Sequence, residues 1–220
     1  GLAANAGRVY ALFHDGSTLS LGKRPDDWSS VRWDAEWTPL GLAAADNSVY
    51  AFGQSDDRKQ IVAAMLDNET WKPAPGTAHS GDNAVWFTGA RSRGVDYVAW
   101  VEIVSPADAA GRKLSPLEAA MLPQRLWLAR AEGGTLTPLA PFDFGKPVSV
   151  TVVGDDAGVH VYYQDVLSVQ VDGATLAPAL RVATYADGAW GAPGELPASG
   201  ATWRRPGEFT AASFRGKTFL

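Results

Sequence analysis

Apolar and polar residues alternate along most of this chain in short segments that end at turn residues. The clearest segments are "RVYALFHD" (8–15), "SVYAFGQ" (48–54), "DYVAWVEI" (96–103) and "GVHVYYQD" (158–165). Each follows a shorter segment that contains many small residues, such as "GLAA", "GLAAA", "VWFTG" and "VSVTVVG". Alternation over four to eight residues predicts β-strands with two different faces. The pattern therefore predicts repeated pairs of a small-residue strand and an apolar strand.

A second pattern predicts two further strands after each of these pairs. It recurs in "QIVAAMLDNETWKPA" (60–74), "RLWLARAEGGTLTPLA" (125–140) and "RVATYADGAWGAPG" (181–194), and "EWTPL" (36–40) resembles its end. An alternating strand reaches an Asn, Asp, Glu or Gly turn, followed by Trp or Leu and then Pro. Such turns are typical of β-hairpins. Because proline cannot donate a hydrogen bond to a sheet, the last strand is predicted at a sheet edge.

The chain also repeats itself at a spacing of 40 residues. Gly1–Ala4 recur as Gly41–Ala44, and Val9–Ala11 recur as Val49–Ala51, without a gap. A weaker copy lies at 211–220. The predicted units are approximately 1–40, 41–81, 82–146, 147–206 and an incomplete 207–220.

Four antiparallel strands in each repeat, the first of them rich in alanine and glycine, are typical of a β-propeller blade. The sequence therefore predicts an all-β fold, a β-propeller with four blades and the start of a fifth, as one domain or fragment over 1–220. The alternative is a β-sandwich whose segments resemble one another by chance.

The strand patterns resemble β-propeller repeat proteins, most nearly the sugar-binding propeller lectins of bacteria and fungi. "GVHVYYQD" and "YADGAWGAP" are similar to the second and last strands of such lectin blades. The sialidase-type Asp-box, Ser-x-Asp-x-Gly-x-Thr-Trp, is absent, and "ADGAW" (186–190) matches only its end. The Arg and Glu that fucose-binding blades carry at regular places cannot be matched unit by unit in this chain. The resemblance implies a fold and suggests sugar binding.

Composition and charge exclude several classes of protein. The chain has 19 basic and 24 acidic residues, a net charge of −5, which argues against a general nucleic-acid binder. No apolar run is long enough for a membrane helix. The absence of cysteine excludes a disulfide scaffold and a thiolate metal site. The compartment stays open, with an extracellular or cell-surface location favoured.

The last unit ends within its second strand, so a ring built from this chain would have unpaired edges. The sequence therefore predicts a fragment, or a ring that a second chain or a further segment completes.

The third and fourth units carry extra residues between their second and third strands, at 104–124 and 166–178. "SPLEAAML" (115–122) begins as a capping box, with Ser115 three residues before Glu118 and proline at the first helical position. It predicts a short helix. "VQVDGATL" (169–176) predicts a hairpin that turns at Asp172-Gly173. In a propeller both insertions would decorate one face, although surface loops also lengthen without function.

Polar residues recur where the second strands end, on that same face. Carboxylates there can bind sugar hydroxyls, and a neighbouring Trp or Tyr can stack on a sugar ring. The sequence "TWRR" adds an aromatic ring beside two guanidinium groups, which suits an acidic sugar. The candidate ligand-binding residues are therefore Asp15, Asp56, Trp100, Glu102, Tyr163, Asp165, Trp203, Arg204 and Arg205. The alternatives are that the acids only form turns and that Trp203 only packs between blades.

Other searches indicate no catalytic residue, cofactor or metal. His14, His79 and His160 lack metal-ligand spacing, and His160 is predicted to be a packed or edge residue of its strand. The pair Asp155-Asp156 is predicted to form a turn. Three functions remain open: a non-catalytic module that binds a glycan or a protein, a glycoside-active enzyme or a fragment of one, and a structural interaction domain of a larger surface or secreted protein. The near-equivalent units favour the binding module.

Overall fold

Antiparallel β-sheets make up nearly all regular structure in the computed structural model. The structure describes residues 2–5, 8–11, 13–14, 18–22, 28–32, 37–45, 48–55, 61–67, 70–74, 84–104, 115, 118, 122–132, 135–165, 170–172, 175–177, 180–196, 211–214 and 217–219. The chain divides into two compact units. Unit 1 comprises Gly1–Ala90, Val95–Glu102 and Trp127–Leu139, and unit 2 comprises Arg91–Gly94, Ile103–Leu126 and Ala140–Leu220.

The described residues between 2 and 32 lie in two small sheets. One pairs β1 (Leu2–Asn5) with β2 (Arg8–Ala11), and the other has the order β3-β4-β5, with β3 (Phe13–His14), β4 (Thr18–Gly22) and β5 (Trp28–Arg32). The sequence predicted a second strand over 8–15, and the described residues of this segment, 8–11 and 13–14, are β-strand.

The next sheet has the predicted four-strand order without interruption. Its strands are β6 (Trp37–Ala45), β7 (Ser48–Ser55), β8 (Ile61–Asp67) and β9 (Thr70–Pro73), each paired with the next. The sequence placed Trp37–Pro39 at the end of the preceding unit, but these residues begin β6 and pair with β7. A bulge between Pro39 and Gly41 follows them. Because β6 is an edge strand, Pro39 requires no second partner.

The third sheet has the order β10-β11-β12-β13, and β14 also pairs with β12. Its strands are β10 (Ala84–Ser92), β11 (Val95–Ile103), β12 (Gln124–Glu132), β13 (Thr135–Pro138) and β14 (Phe142–Asp143). Arg93 and Gly94 form the turn between β10 and β11, both with positive φ, 50° and 77°. Positive φ at both central residues is the geometry of a type I′ hairpin turn, whose twist matches that of the strands.

The fourth sheet has the order β15-β16-β19-β20, and β21 also pairs with β19. Its strands are β15 (Pro147–Gly154), β16 (Val159–Asp165), β19 (Leu180–Ala186), β20 (Ala189–Trp190) and β21 (Gly194–Glu195). The predicted Asx-Gly turn is present at Asp187-Gly188, with φ of 51° and 89°. The end of the chain forms a further hairpin, β22 (Ala212–Phe214) with β23 (Lys217–Phe219).

A core of small and aromatic side chains fills unit 1. Phe52 stacks on Phe87, with ring centroids 5.2 Å apart and an interplanar angle of 9°. A Cβ added at Gly41 would lie 3.2 Å from Phe87, so the small residues of β6 allow this close approach. The other buried members of the core are Ala43, Tyr50, Ala63, Ala74, Ala84, Val98, Trp100, Ala129, Ala131 and Leu136.

Unit 2 packs the two faces of its five-stranded sheet differently. On one face Phe142 and Phe144 contact Tyr163, with centroids 6.0 and 5.5 Å away. On the other face Tyr162 packs with Val153 and Leu180, next to Ala211. Sheets of consecutively paired antiparallel strands, covered on their faces, fit a propeller-like all-β fold.

Candidate functional site

Glu102 lies at the end of β11, where the sequence predicted a ligand-binding acid. The indole Nε1–H of Trp127, on β12, donates a hydrogen bond of 2.6 Å to Oε2 of Glu102. Trp127 also stacks on Trp100, with centroids 6.3 Å apart and an interplanar angle of 12°. The carboxylate is thus held in one orientation at the corner between the second and third strands of its sheet.

The structure gives Trp100 and Tyr163 a packing role. Each side chain is 2% exposed, Trp100 in the core of unit 1 and Tyr163 beside Phe142 and Phe144 in unit 2. A ring covered to this extent has no open face on which a sugar could stack. The sequence prediction erred because alternation shows which residues share a face of a strand and does not show which face is covered.

The remaining predicted residues are located only in part. Asp165 ends β16, paired in register with Pro147. The residues Asp15, Asp56, Trp203, Arg204 and Arg205 lie outside the described residues, and their ligand-binding role stays a prediction.

The two insertions occupy the same connection in consecutive sheets, between the second and third strands. In the third sheet this connection runs from 104 to 123, and its ends are joined by a 2.8 Å hydrogen bond from the Val104 amide to the Pro123 carbonyl. Inside it, the Ser115 amide donates to Oε2 of Glu118 at 2.9 Å, and the Glu118 amide donates to Oγ of Ser115 at 3.2 Å. These are the two reciprocal bonds of the predicted capping box. The helix predicted after it falls largely outside the described residues.

In the fourth sheet the same connection carries the predicted hairpin. β17 (Gln170–Asp172) pairs antiparallel with β18 (Thr175–Ala177), and Asp172 lies opposite Thr175. Asp172 therefore belongs to β17, whereas the sequence placed it in the turn.

An ion pair that the sequence analysis did not predict lies at the start of β12. Arg125 binds Asp143 of β14 through two contacts, Nε to Oδ1 at 2.6 Å and Nη2 to Oδ2 at 3.3 Å. The two residues face each other in the strand register. A sequence signal was present, because the segments 125–140 and 181–194, which the repeat aligns, both begin with arginine.

A buried polar network that the sequence analysis also missed surrounds Asp155, in the turn between β15 and β16. Its Oδ1 accepts the Ala157 amide at 2.8 Å and lies 2.7 Å from Nε2 of His160. Nδ1 of His160 lies 2.8 Å from Oγ1 of Thr184, on β19. Because a carboxylate only accepts, Nε2 carries the proton, and in the neutral ring Nδ1 accepts from the Thr184 hydroxyl. The predictions that Asp155 forms a turn and that His160 is packed are confirmed.

The network continues to the terminal hairpin of unit 2. Thr218, on β23, donates to Oδ2 of Asp155 at 2.9 Å. Burial raises the pKa of Asp155, but its hydrogen bonds to His160, Ala157 and Thr218 and the charge of His160 together outweigh burial and lower it below its ordinary value. Burial raises the pKa of Tyr162, which is hydrogen-bonded to Thr218. This network stabilises the ionised form of Asp155 and joins the hairpin to its neighbouring sheet.

The turn between β10 and β11, in the third sheet, binds two turns of the fourth sheet. Ser92 Oγ donates to the Asp155 carbonyl at 2.7 Å, and Arg93 Nε donates to the Asp156 carbonyl at 2.9 Å. Arg93 also pairs with Asp187 at 2.8 Å. We call Ser92, Arg93, Asp156 and Asp187 the turn clasp. It lies at the opposite end of the strands from the insertions.

Among the residues that the structure describes, no three His, Asp or Glu side chains come close enough to hold a metal ion. No described helix combines the length and apolarity needed to cross a membrane.

No protein-family model matches the sequence, and no curated protein matches it. Among solved structures, the chain is similar to the crystal structure of an α-L-arabinofuranosidase from Lactobacillus brevis, at 13% sequence identity and a TM-score of 0.42. The similarity covers 84% of this chain and 68% of that chain. At this level the similarity assigns no activity to the chain.

The bond between Trp127 and Glu102 gives a first testable prediction. Replacing Glu102 with alanine leaves the indole N–H without this acceptor and is expected to lower the free energy of unfolding by about 2 kcal/mol. Glu132→Ala is the matched control, because this exposed carboxylate pairs across 3.1 Å with an exposed Arg130 and should change stability by less than about 0.5 kcal/mol. Urea denaturation followed by tryptophan fluorescence measures both. Equal effects would contradict a structural role for the indole bond.

Proposed function

We propose that the chain is a non-catalytic β-propeller binding module, built from four blades and the start of a fifth, that recognises a glycan on its insertion-bearing corner. The observation that carries this proposal is the position of the insertions. Two consecutive sheets are extended at one and the same connection, by 104–123 in one and by the β17–β18 hairpin in the other. Elaboration confined to one kind of connection on a regular scaffold is typical of binding surfaces.

Polar side chains of the appropriate chemistry are present at these connections. Glu102 precedes the first insertion, and its carboxylate is oriented by Trp127. Arg125 directly follows that insertion and binds Asp143 of β14, and the two side chains are about one third and two thirds exposed, at 35% and 66%. Oriented carboxylates and guanidinium groups supply the acceptors and donors that sugar hydroxyls require.

The contacts of Glu102 and Asp143 suit a binding role. The indole bond to Glu102 and the ion pair of Asp143 with Arg125 hold both carboxylates in a fixed orientation. A carboxylate held in one orientation is a good acceptor for a hydroxyl group.

A glycan array with the purified chain tests the proposal, together with a chromogenic glycoside assay. In the test variant a Gly-Ser-Gly segment replaces residues 105–122, which the bond between Val104 and Pro123 makes geometrically feasible. Asp156→Asn is the control, an exposed residue at the other end of the strands. We expect array binding by the parent chain and the control, and at least about tenfold weaker binding by the shortened variant.

Two results would contradict the proposal. Equal binding by the shortened variant would exclude the insertion as part of the recognition surface. Release of sugar from the glycosides would identify an enzyme instead of a binding module.

A further inference from the structure

The third and fourth sheets each place an arginine opposite an acid at the start of the third strand. In the third sheet Arg125 of β12 faces Asp143 of β14. In the fourth sheet Arg181 of β19 faces Glu195 of β21. Residues directly opposite in antiparallel strands project to the same side of the sheet, so both pairs are placed for contact. The two sites are structural equivalents, because each arginine is the second residue of its strand and each follows an insertion.

Only one of these two equivalent pairs is closed in the described structure. Arg125 donates hydrogen bonds from Nε and Nη2 to the carboxylate of Asp143. Arg181 has a buried Nε with no hydrogen-bond partner among the described residues. Glu195 is exposed and is not bonded to it among the side chains that the structure describes. A buried N–H of a charged group that lacks an acceptor lowers the stability of the fold. Arg181 is therefore a site at which a bound acceptor would be stabilising.

The surroundings of Arg181 favour a bound anion. On its other side Arg181 lies opposite Tyr163 of β16. Its side chain therefore projects from the face of the sheet that carries Phe142, Phe144 and Tyr163. An apolar surface strengthens an ion pair by excluding water. The planar guanidinium group binds carboxylates by two parallel hydrogen bonds, and the contact of Arg125 with Asp143 shows this geometry at the equivalent position.

We infer that Arg181 anchors a ligand carboxylate in the position that Asp143 occupies beside Arg125. The identity of the ligand as a sugar rests on the proposed function, and the two together specify a glycan that contains a uronic acid. The carboxylate of that sugar would accept from Nε and a terminal nitrogen of Arg181.

Arginine Nε–H NMR on the ¹⁵N-labelled chain tests this inference directly. Sodium D-glucuronate is titrated into the protein, and D-glucose serves as the neutral probe. We expect the Arg181 Nε–H resonance to shift saturably with glucuronate and to stay within experimental error with glucose. The Arg181 signal is assigned by its loss in Arg181→Gln.

Variants supply the controls. Arg181→Gln should weaken glucuronate binding at least tenfold in calorimetry, whereas Arg125→Gln should change it less than twofold. Arg181→Lys keeps the charge without the planar fork and should also weaken binding. The direct readout on the parent protein remains decisive if a variant fails to fold.

Three results would overturn the inference. The first is an Arg181 resonance that glucuronate leaves unchanged, and the second is an equal shift with glucose. The third is a shift of this resonance in ligand-free Glu195→Gln, which would show that Glu195 already closes the pair. If glucuronate does not shift the Arg181 resonance but the array shows binding of neutral glycans, the proposed function stands and only this inference is wrong. A specific glucuronate shift without any array binding would instead support the anion site and contradict the proposed function.

Discussion

Replacing Gly154 with alanine is expected to lower the free energy of unfolding by about 3 kcal/mol or more. Gly154 ends β15, and its backbone passes directly against that of Arg91 within unit 2. An added Cβ would overlap the Arg91 carbonyl oxygen and lie 2.5 Å from its carbonyl carbon and 3.0 Å from its nitrogen. Backbone atoms cannot rotate away as a flexible side chain can, so the two segments would have to separate.

Gly194→Ala is the matched control for this substitution. Gly194 also lies in a strand of the same sheet, but a Cβ there meets nothing within 4 Å. Its stability should be unchanged or raised by about 0.5 kcal/mol, because alanine loses less backbone entropy on folding. Urea denaturation gives both values. Similar stabilities for the two variants would show that the contact between Gly154 and Arg91 is absent in solution.

The second large effect is expected at Asp155. Asp155→Ala removes one carboxylate that accepts from His160, Thr218 and the amide of Ala157, and the loss should be about 3 kcal/mol. Asp156→Ala is the control, because its side chain is exposed and only its backbone carbonyl contributes to the turn clasp. It should change stability by less than about 0.5 kcal/mol.

The lowered pKa of Asp155 adds a pH dependence to this prediction. Since the folded pKa lies below the ordinary value of 3.8, the ionised carboxyl is the form that folding favours. Its contribution is fully present above that value and is lost as the pH falls through the lower folded pKa. The stability difference between the parent chain and Asp155→Asn should therefore shrink as the pH falls below about 3.8. A difference that keeps growing below that pH would contradict the network.

Local patterns predicted the individual sheets well. Alternation located β7, β11 and β16, and the Asx-Gly signal located the turn at Asp187-Gly188. These features depend on neighbours along the chain, which a single sequence contains. The prediction was wrong at Trp37–Pro39, because a Trp-Pro segment suits any edge strand and the sequence does not show which sheet it joins.

The functional residues were harder to predict because their partners are distant in sequence. Thr218 binds Asp155 across 63 residues, and Trp127 binds Glu102 across an insertion. Only the packing of successive strands and hairpins brings such groups together. The burial of Trp100 and Tyr163 has the same origin, since side chains that cover them come from other segments of the chain. By contrast, the sequence repeat already aligns Arg125 with Arg181. The structure was needed only to show that, among the described residues, Arg125 binds its opposite acid and Arg181 does not.

The turn clasp has a consequence for the order of folding. Arg93 and Asp187, the non-glycine residues with positive φ at their two turns, bind each other although 94 residues separate them. Each turn can form early within its own hairpin, on a timescale of about microseconds. Their mutual ion pair requires both hairpins to be docked, so it belongs to the last contacts made and the first ones broken. Stabilisation gained there acts mainly on the rate of unfolding, and therefore on how long the folded chain persists.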